Sequence, residues 1–571
     1  MCGILALLNW KGMINDSTVE RMLEAGKDRG PENTSNFTNA DNIYMGFHRL
    51  AINGLNSLSN QPLNIDNIVL ICNGEIYNYM NLYKLLNISP HTGSDCEIII
   101  HLYKRYGIEE TLKLIDGVFA FVLYDFSSIE REPIVYVARD PFGVRPLYMI
   151  RDCNIDLGIT ESVLKNYDRS TSGLQRIYGF ASELKSLIPI NTIHLNNNLE
   201  YLQFLPGTYS KFTKSYMVNS LWKKEIENRK YFTLPINNLL NENKTVYYEN
   251  IAKYLDEAVK KRVVGTSDRE IGCLLSGGLD SSLITALVVK HSLRKVKTFS
   301  IGMKGSKDLE YARLVANYLK TDHKEIILEV KDFLEAIPEV IEKIESYDTT
   351  TVRASVGNYL VGKYIKEFTD VKVVFNGDGS DELTGGYLYF HCSPSIIESD
   401  KETRRLLSDI YMFDVLRSDK SISSNGLEPR TPFLDKSFVC NYLSIPMEER
   451  FREGVCEKHL LRTAIDINFP TLLPKDILWR TKEAFSDGVS GDSGDWYKII
   501  QKQLEKRKKS GIKYSHLPPE TNEQEYYREI FENKYKDCGK ILPYFWMPKY
   551  VNAEDSSARS MQIYKEIMKN D

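Results

Sequence analysis

The chain has 571 residues, more than one hydrophobic core usually accommodates, so two or more domains are expected. Lysine and arginine number 73 against 77 aspartates and glutamates, and this net charge of −4 disfavours a nucleic-acid partner. No apolar run approaches the roughly 20 residues that span a bilayer, so no membrane partner is expected. The nine cysteines are scattered without a Cys-x-x-Cys pair, which is typical of a reducing compartment such as the cytoplasm.

The first 210 residues predict an α+β domain with antiparallel sheets. Met1–Leu8 is apolar and is interpreted as a buried first strand, and short β-rich runs follow, punctuated by Gly, Asn and Asp. The predicted elements are strands at Ile68–Cys72, Val118–Tyr124 and Ile134–Ala138, with helices near Thr18–Lys27 and Asp95–Arg105. The polar stretch Asp152–Tyr178 is predicted to be an inserted surface loop, and residues 211–245 are predicted to be a linker.

Residues 246–571 change to alternating strands and helices, which predicts an α/β domain with a doubly wound parallel sheet. The predicted elements are a helix from Tyr247, strand Ile271–Leu275, helix Ser281–His291, strand Val296–Ile301, helix Asp308–Lys320, strands Lys324–Val330 and Val371–Phe375, and a mainly helical remainder from about Lys401. Ligands bind such sheets beyond the carboxyl ends of the strands. The loops at 276–282 and 376–382 are therefore expected to line one site.

Cys2 is a candidate nucleophile. Removal of Met1 would leave its thiol beside a free α-amine, whose reference pKa of about 7.7–8.0 makes it a base near neutral pH. A thiol activated by an adjacent base is suited to acyl transfer. Taken alone, the position is equally compatible with a cysteine that merely follows the start codon.

Several polar residues downstream are suited to an amino-acid amide. Arg49 is suited to a substrate α-carboxylate, and the Asn73 amide with the Gly74 N–H would form an oxyanion hole after the strand Ile68–Cys72. Asp95 is suited to a substrate ammonium, but it is equally well explained as the N-cap of its helix. The two roles of Asp95 are compatible with each other.

The segment Ser276–Ser282, with the sequence SGGLDSS, lies between a strand and a helix and predicts a nucleotide site. Glycines allow phosphate to approach the backbone closely, and the N–H groups of a helix N-terminus favour an anion. The Asp280 carboxylate would repel phosphate unless Mg²⁺ lies between them, so it predicts a metal. The acidic turn Asn376–Glu382 is by itself better explained as a solvated turn, but near the first loop its Asp381 would share that metal.

Taken together, these motifs resemble the glutamine-hydrolysing asparagine synthetase family over nearly the whole chain. The motifs that resemble the class II glutamine amidotransferase domain are Met1–Ile4, Arg29–Pro31, His48–Ile52, Asn73–Asn78, Thr92–Glu97, Arg139–Gly143 and Phe180–Glu183. These alone would also fit glucosamine-phosphate synthase or phosphoribosyl-pyrophosphate amidotransferase. The motifs that resemble the asparagine-forming branch are Leu275–Ser282, Glu345–Ser355, Gly385–His391, Glu428–Asp435 and Lys482–Gly488, and Trp546–Lys549 and Ser556–Arg559 resemble the tail of its eukaryotic-like group.

The resemblance implies an Ntn-hydrolase-type sandwich for residues 1–210 and an adenine nucleotide hydrolase-like sheet for residues 246–571. It implies that aspartate becomes asparagine through a β-aspartyl-adenylate, with ammonia from glutamine reaching the adenylate through an apolar passage between domains. Cys2 would attack the glutamine amide, and Asn73 and Gly74 would stabilise the oxyanion. The residues that would hold glutamine are Arg49, Leu50, Ile52, Asn73, Gly74, Glu75 and Asp95.

For the second domain the resemblance implies ATP and Mg²⁺. The residues that would surround ATP are Leu275, Ser276, Gly277, Gly278, Asp280, Ser281, Ser282, Ile301, Asn376 and Gly377. Asp280 and Asp381 would bind the Mg²⁺-pyrophosphate, Thr350 and Arg353 would hold aspartate, and Lys482 would neutralise phosphate charge during adenylation. The partners implied are small-molecule substrates, and a homodimer is left open.

One departure from the family pattern concerns Asp378. The family usually carries Ser-Gly-Glu-Gly-Ser-Asp-Glu where this chain has Asn376–Glu382, so Asp378 is one methylene shorter than the glutamate that is thought to assist the ammonia step. A positional error of about 1 Å can reduce a rate on the order of a hundredfold. The alternatives are a related ATP-dependent amidotransferase acting on another carboxylate and a glutamine-binding pseudoenzyme with an inactive synthetase half, and only Asp378 supports the second.

Overall fold

The computed structural model describes residues 1–562 except 129, 153–176, 193–198, 218–219, 236–242, 267, 453, 481–487, 493 and 509. Its backbone divides into two compact units. Unit 1 comprises Met1–Thr233 and Asp537–Ile541, and unit 2 comprises Leu234–Lys536 and Leu542–Asp571. The predicted insertion Asp152–Tyr178 lies almost wholly outside the described residues. Among the helices that are described, none is long and apolar enough to cross a bilayer.

Unit 1 contains two antiparallel sheets of six strands each, the sandwich that the resemblance implies. The strands are β1 Gly3–Leu8, β2 Asn33–Thr38, β3 Ile43–Arg49, β4 Leu63–Ile65, β5 Ile68–Ile76, β6 Gly117–Asp125, β7 Ile134–Arg139, β8 Tyr148–Asp152, β9 Tyr178–Ala181, β10 Leu199–Gln203, β11 Thr208–Thr213 and β12 Lys223–Lys230. One sheet has the strand order β10-β8-β9-β1-β3-β2 and the other β12-β11-β7-β6-β5-β4.

The core of unit 1 lies between the two sheets. Alternate residues of β1, such as Ile4 and Ala6, pack there with Val69 of β5 and Val122 of β6. The opposite face of β5 and β6 is covered by apolar side chains of two of the helices of this unit. The α-helices in the described part of unit 1 are α1 Asp16–Glu24, α2 Tyr79–Leu86 and α3 Ile98–Leu114. Because β6 is covered on both faces, it is apolar along most of its length instead of alternating.

The predicted linker at 211–245 is wrong in its first part. Strand β11 extends to Thr213, and β12 pairs with it in antiparallel register from Lys223 to Lys230. Strand β12 is the edge of its sheet and carries six charged side chains over its length, which hid its β character from the sequence pattern.

Unit 2 is built on one parallel sheet, as predicted. Its strands are β13 Glu270–Leu274, β14 Lys297–Met303, β15 Asp322–Leu328, β16 Val371–Phe375 and β17 Glu428–Arg430. The order β15-β14-β13-β16-β17 reverses direction between β13 and β16, and all neighbouring pairs are parallel. This reversal is the place where doubly wound sheets open a crevice for ligands. The edge strand β17 lies within the remainder that was predicted to be mainly helical.

Helices make up most of what the structure describes in the rest of unit 2. They are α4 Lys244–Val264, α5 Leu279–His291, α6 Lys307–Leu319, α7 Val330–Ile344, α8 Thr349–Phe368, α9 Ser380–Thr384, α10 Ile396–Asp409, α11 Asp414–Ser423, α12 Lys436–Ser444, α13 Met447–Arg450, α14 His459–Asn468, α15 Lys475–Leu478, α16 Trp496–Leu504 and α17 Asn522–Lys534. Helix α7 is amphipathic, because its buried residues recur at spacings of three and four: Phe333, Ile337, Val340 and Ile344.

Candidate active sites

Cys2 lies immediately before β1, where it meets the loop after β3 and the strand β5. Its main-chain N–H donates to Asn73 Oδ1 at 3.2 Å, and its Sγ lies 3.7 Å from the Leu50 carbonyl oxygen. Arg29 donates through Nε to the Cys2 carbonyl at 3.0 Å and pairs with Glu183 at 2.7 Å, which holds the strand start in place. The candidate nucleophile and the candidate oxyanion amide are therefore brought together.

The Gly74 N–H points toward the same side of β5 as Asp95. On this strand the N–H of Cys72 donates to Gln61 Oε1 at 2.6 Å, and the N–H of Ile76 donates to Asp95 Oδ2 at 2.7 Å. Because backbone directions alternate along a strand, the Gly74 N–H between them has the same direction. A Cβ at Gly74 would lie 2.5 Å from the Val118 carbonyl oxygen, so only glycine fits beside β6 here.

Asp95 is not the N-cap of its helix, so that explanation is wrong. The cap position of the first turn is Ser94, and the Asp95 carboxylate instead accepts the Ile76 N–H. Asp95 is thereby fixed beside the strand that carries Asn73 and Gly74. Its carboxylate is buried, so a cationic group bound there would be drawn out of water.

Arg49, Glu75 and the loop between β3 and β4 form one hydrogen-bonded group. The Arg49 guanidinium donates to the carbonyl of Asn56 at 2.9 Å and to Asn60 Oδ1 at 2.6 Å, and Glu75 accepts from Asn53 Nδ2 at 2.9 Å. Leu50 and Ile52 are buried at the start of this loop. Arg49 therefore organises the loop through its side chain, and its predicted contact with a substrate carboxylate stays a prediction.

In unit 2 a cavity of about 220 Å³ opens at the carboxyl ends of β13, β14 and β16. The predicted residues that line it are Leu275, Ser276, Gly278, Asp280, Ser281, Ile301, Thr350, Asn376, Gly377, Asp378 and Asp381. Gly277, Ser282 and Arg353 are described but are not part of its lining. Lys482 lies outside the described residues.

The loop after β13 has the geometry expected of an anion site. Ser281 Oγ accepts the Ser276 N–H at 3.2 Å and lies 3.0 Å from Ser276 Oγ, so the loop folds back on the first turn of α5. Gly277 has φ +75°, and a Cβ there would lie 2.5 Å from the Ala312 nitrogen. Arg480 donates to the Gly277 carbonyl at 3.0 Å and stacks on Tyr311 at 3.8 Å from the ring centre, which adds a cation at the cavity wall.

Asp280 and Asp381 converge on one cation, the side chain of Lys458. Lys458 Nζ lies 2.6 Å from Asp280 Oδ2 and 2.6 Å from Asp381 Oδ1. Lys458 is buried and has φ +58°, an uncommon backbone conformation for a residue with a Cβ. Mg²⁺ in nucleotide sites is usually held by one or two carboxylates with substrate phosphates, so this pair of carboxylates fits the metal predicted there. Within the described residues, no group of three metal-ligating side chains exists.

Asp378 also lies in the cavity wall, where it is paired with Arg417 of α11. Arg417 Nη2 donates to Asp378 Oδ1 at 3.1 Å and also binds Asp414. Burial raises the pKa of Asp378, and the Arg417 guanidinium opposes that rise. Glu382 is close by and accepts from the Tyr387 hydroxyl at 2.5 Å, and both side chains line the cavity. This wall therefore carries a concentration of negative charge around one arginine.

Thr350 and Arg353 share helix α8 but face different groups. Thr350 lines the cavity, whereas the Arg353 guanidinium is buried against Glu523 of α17 and Asp555, to each of which it donates two hydrogen bonds of 2.6–2.8 Å. A direct contact of Arg353 with aspartate would require these ion pairs to break. The arrangement does not bring Arg353 to the cavity where aspartate was expected.

Comparisons with known proteins match both parts of the chain to families. The family model described as "Glutamine amidotransferase domain" matches residues 1–218, and the model described as "Asparagine synthase" matches residues 250–401 and 393–559. "Asparagine synthetase [glutamine-hydrolyzing]" of Gallus gallus is 39% identical, over 99% of this chain and 99% of its own. The protein of the same name from Homo sapiens is 37% identical, with both chains covered completely. This chain belongs to the glutamine-hydrolysing asparagine synthetase family.

Among solved structures, the NH3-dependent NAD synthetase from Campylobacter jejuni is similar to 28% of this asparagine synthetase family member and covers 73% of its own chain. It is 22% identical, with a TM-score of 0.19.

The cavity residues of this asparagine synthetase family member that the sequence analysis missed include Lys458, Arg417 and Trp546. None of these residues lies in a loop that directly follows a strand, so the rule that ligands bind at strand ends does not point to them. Trp546 lies in a motif that resembles the family tail, which was the one signal available for it.

Proposed function

We propose that this protein makes asparagine from aspartate with glutamine as the nitrogen donor and ATP as the energy source. The products are asparagine, glutamate, AMP and pyrophosphate. The observation that carries the proposal is that one chain holds Cys2 against Asn73 in unit 1 and Asp280, Asp381 and Lys458 around a nucleotide loop in unit 2. The first set suits amide hydrolysis, and the second suits release of pyrophosphate.

In unit 1, the Cys2 thiolate would attack the side-chain carbonyl of glutamine. The Asn73 amide and the Gly74 N–H are the donors proposed for the oxyanion, and Asp95, Glu75 and Arg49 are the groups proposed to hold the amino acid. The tetrahedral adduct then collapses to a glutamyl thioester: its C–N bond breaks, and the nitrogen takes up the proton that the thiol gave up and leaves as ammonia. Water hydrolyses the thioester to glutamate and returns the thiol. Once Met1 is removed, the Cys2 nitrogen near Asn73 would be the amine that carries the proton.

In unit 2, the residues from Leu275 to Ser282, with Ile301, Asn376 and Gly377, are proposed to hold ATP. Asp280 and Asp381 would hold Mg²⁺, which when bound neutralises the negative charge of the phosphates. Lys458 and Arg480 supply further positive charge at the same wall. Lys482 is proposed from the family resemblance to act on the phosphates during adenylation. The aspartate β-carboxylate would attack the α-phosphorus and expel pyrophosphate.

The adenylate is needed because a carboxylate is a poor acyl donor at neutral pH. Ammonia would then attack its carbonyl carbon, and AMP would leave with the electron pair of the C–O bond. Thr350 is proposed to contact the aspartyl group, and Asp378 to accept a proton from the attacking nitrogen. Asp378 needs its negative charge for that role, and Arg417 stabilises that charge.

The cellular setting is part of the proposal. No disulfide joins any two of the described cysteines, and the family substrates are small metabolites, so we place the enzyme in the cytoplasm. A homodimer is the alternative to a monomer, and sedimentation of the purified chain distinguishes them.

The test uses Cys2→Ala with two nitrogen sources. With glutamine, the variant is expected to form neither glutamate nor asparagine, because the nucleophile is gone. With ammonium chloride, aspartate and ATP, it is expected to form asparagine and AMP at the parent's rate. Retention of glutamine-dependent synthesis would overturn the nucleophile assignment. A parent that releases no pyrophosphate with aspartate would overturn the proposed reaction in favour of another carboxylate or a pseudoenzyme.

A further inference from the structure

The C-terminal segment of unit 2, Leu542–Met561, forms part of the synthetase cavity. Trp546 is buried, lines the cavity, and packs its ring against that of Tyr387 with 5.4 Å between centroids. The same segment runs on to Asp555, which is bound to Arg353. Part of the cavity wall is thus supplied by a residue that lies more than a hundred positions after Arg430, the last residue of the parallel sheet.

Asp348 joins this segment to the helix that carries Thr350. The Asp348 carboxylate accepts the Thr351 N–H at 2.8 Å through Oδ2, as the N-cap of α8. Its other oxygen, Oδ1, accepts the main-chain N–H of Trp546 at 2.8 Å. One buried carboxylate therefore fixes both the first turn of α8 and the backbone beside the Trp546 ring.

Arg353 holds the far end of the same segment. It lies one turn along α8 from Thr350 and donates two hydrogen bonds to Glu523 and two to Asp555. Asp555 in turn accepts a hydrogen bond from the side-chain amide of Gln501, with Nε2 2.9 Å from Oδ2. Bidentate arginine–carboxylate pairs fix orientation as well as distance. Helix α8 therefore clamps the segment at two points, Asp348 and Arg353.

We propose that Trp546 is a wall of the aspartyl-adenylate site that keeps water from the acyl carbon, and that Arg353 is the positioning residue that holds this wall closed. The proposal rests on the proposed function and assigns the C-terminal segment a part in it. It also replaces the expected contact between Arg353 and aspartate by an indirect role.

The chemistry makes such a wall necessary. Ammonia attack on the acyl carbon gives asparagine and AMP, whereas water attack at the same carbon gives aspartate and AMP. In both reactions the new bond forms at the acyl carbon, the C–O bond to the phosphate breaks, and AMP leaves with the electron pair. Water attack also releases a proton and wastes the ATP that was cleaved. An apolar ring at the wall excludes water without removing the path for neutral ammonia.

The first experiment measures pyrophosphate released per asparagine formed, with ammonium chloride as the nitrogen source. Trp546→Ala is expected to raise this ratio about tenfold over the parent, a change that corresponds to about 1.4 kcal/mol between the two attack barriers. Trp546→Phe is expected to stay near the parent. Met547→Ala is the matched control, because Met547 is the exposed neighbour and does not line the cavity. If the alanine variant does not fold, the pyrophosphate-to-asparagine ratio of Trp546→Leu tests the proposal in its place.

The second experiment is a double-mutant cycle of Arg353→Gln and Asp555→Asn. If Arg353 acts through the clamp, each single variant raises the pyrophosphate-to-asparagine ratio, and the double variant is no worse than Arg353→Gln alone. If Arg353 instead contacts aspartate, Arg353→Gln raises the KM for aspartate while Asp555→Asn leaves both KM and ratio at the parent values. That result would overturn the clamp.

Glutamine hydrolysis by unit 1 and the thermal transition of each variant check that the chain is folded. Unchanged ratios in Trp546→Ala and Trp546→Leu, with asparagine still formed by the parent, would overturn this inference alone. A parent that forms no asparagine would overturn the proposed function instead. The two failures are therefore distinguishable in one set of assays.

Discussion

Removal of the Lys458 ammonium is the sharpest test of the synthetase site. Lys458→Met keeps an unbranched side chain of similar length, and the backbone cost of the positive φ of +58° is the same for both residues. The substitution leaves Asp280 and Asp381 without the cation that lies 2.6 Å from each. Breaking a buried ion pair from one side costs about 3–5 kcal/mol. Both carboxylates are about one-sixth exposed, so we expect the lower end of that range, about 3 kcal/mol.

The expected size can be measured by thermal unfolding without divalent metal. For a domain of this size, each kcal/mol lowers Tm by about 2 °C, so Lys458→Met is expected to lower the transition of unit 2 by about 6 °C. Lys534→Met is the matched control, since Lys534 pairs with Glu342 at 3.1 Å on the exposed surface. Exposed pairs contribute about 0–1 kcal/mol, so the control is expected to shift little.

Magnesium separates the structural and the catalytic consequences. Excess Mg²⁺ offers the two carboxylates another cation, so it is expected to restore part of the lost Tm in Lys458→Met and little in the control. Pyrophosphate release is nevertheless expected to fall at least about a hundredfold, because one electrostatic group aimed at the phosphates is missing. A Lys458→Met variant that adenylates aspartate at the parent's rate, or that unfolds like Lys534→Met, would refute this reasoning.

Three further outcomes are expected, two at the synthetase cavity and one in unit 1. Asp280→Asn and Asp381→Asn are each expected to abolish pyrophosphate release while glutamine hydrolysis persists, and normal adenylation by either variant would contradict the metal assignment. Asp378→Ala is expected to stop asparagine formation from ammonia, whereas Asp378→Glu is expected to keep or raise it; equal activity of parent and alanine variant would reduce Asp378 to a turn residue. In unit 1, burial raises the pKa of Glu97, but hydrogen bonds from His101 and from the N–H groups of His91 and Thr92 more than offset this and lower the pKa to about 2. Above pH 4.5, the pKa of Glu97 in the unfolded chain, the ionised carboxylate stabilises the fold by on the order of 3 kcal/mol. This stabilisation is lost as the pH falls from 4.5 toward 2. The free energies of unfolding of the parent and of Glu97→Gln, measured in urea, should therefore converge between pH 4.5 and 2.

The sequence predicted the parts of the fold whose pattern is local. Strands β13, β14 and β16 are short apolar runs that each end in a polar loop, and helix α5 begins directly after the nucleotide loop, so their order and the shared edge were predictable. Strand β17 was not predictable, because three residues with a central Pro429 carry no alternation. Proline fits there because β17 is the edge of its sheet.

The same difference separates the predicted site residues from the missed ones. Asp280 and Asp381 each lie shortly after the end of a strand. Lys458, which contacts both, is 178 residues after Asp280 and 77 residues after Asp381, and it does not directly follow a strand. Arg353 shows the converse. Its place on α8 was predictable, but the direction of its side chain is decided by Glu523 and Asp555, which lie 170 and 202 residues further along the chain. Such distant partners leave no local pattern.

The strand order explains why one cavity collects residues from so much of unit 2. Because β13 and β16 are neighbours at the reversal of the sheet, the loops with Asp280 and Asp381 face each other across it. Two loops with this much negative charge would repel each other and a nucleotide, so the fold has to bring cations from elsewhere. Lys458, Arg417 and Arg480 meet this need, and all three come from the helical region after β16. The parallel sheet therefore positions the acidic loops, and the helical extension supplies the positive charge that makes phosphate chemistry feasible there.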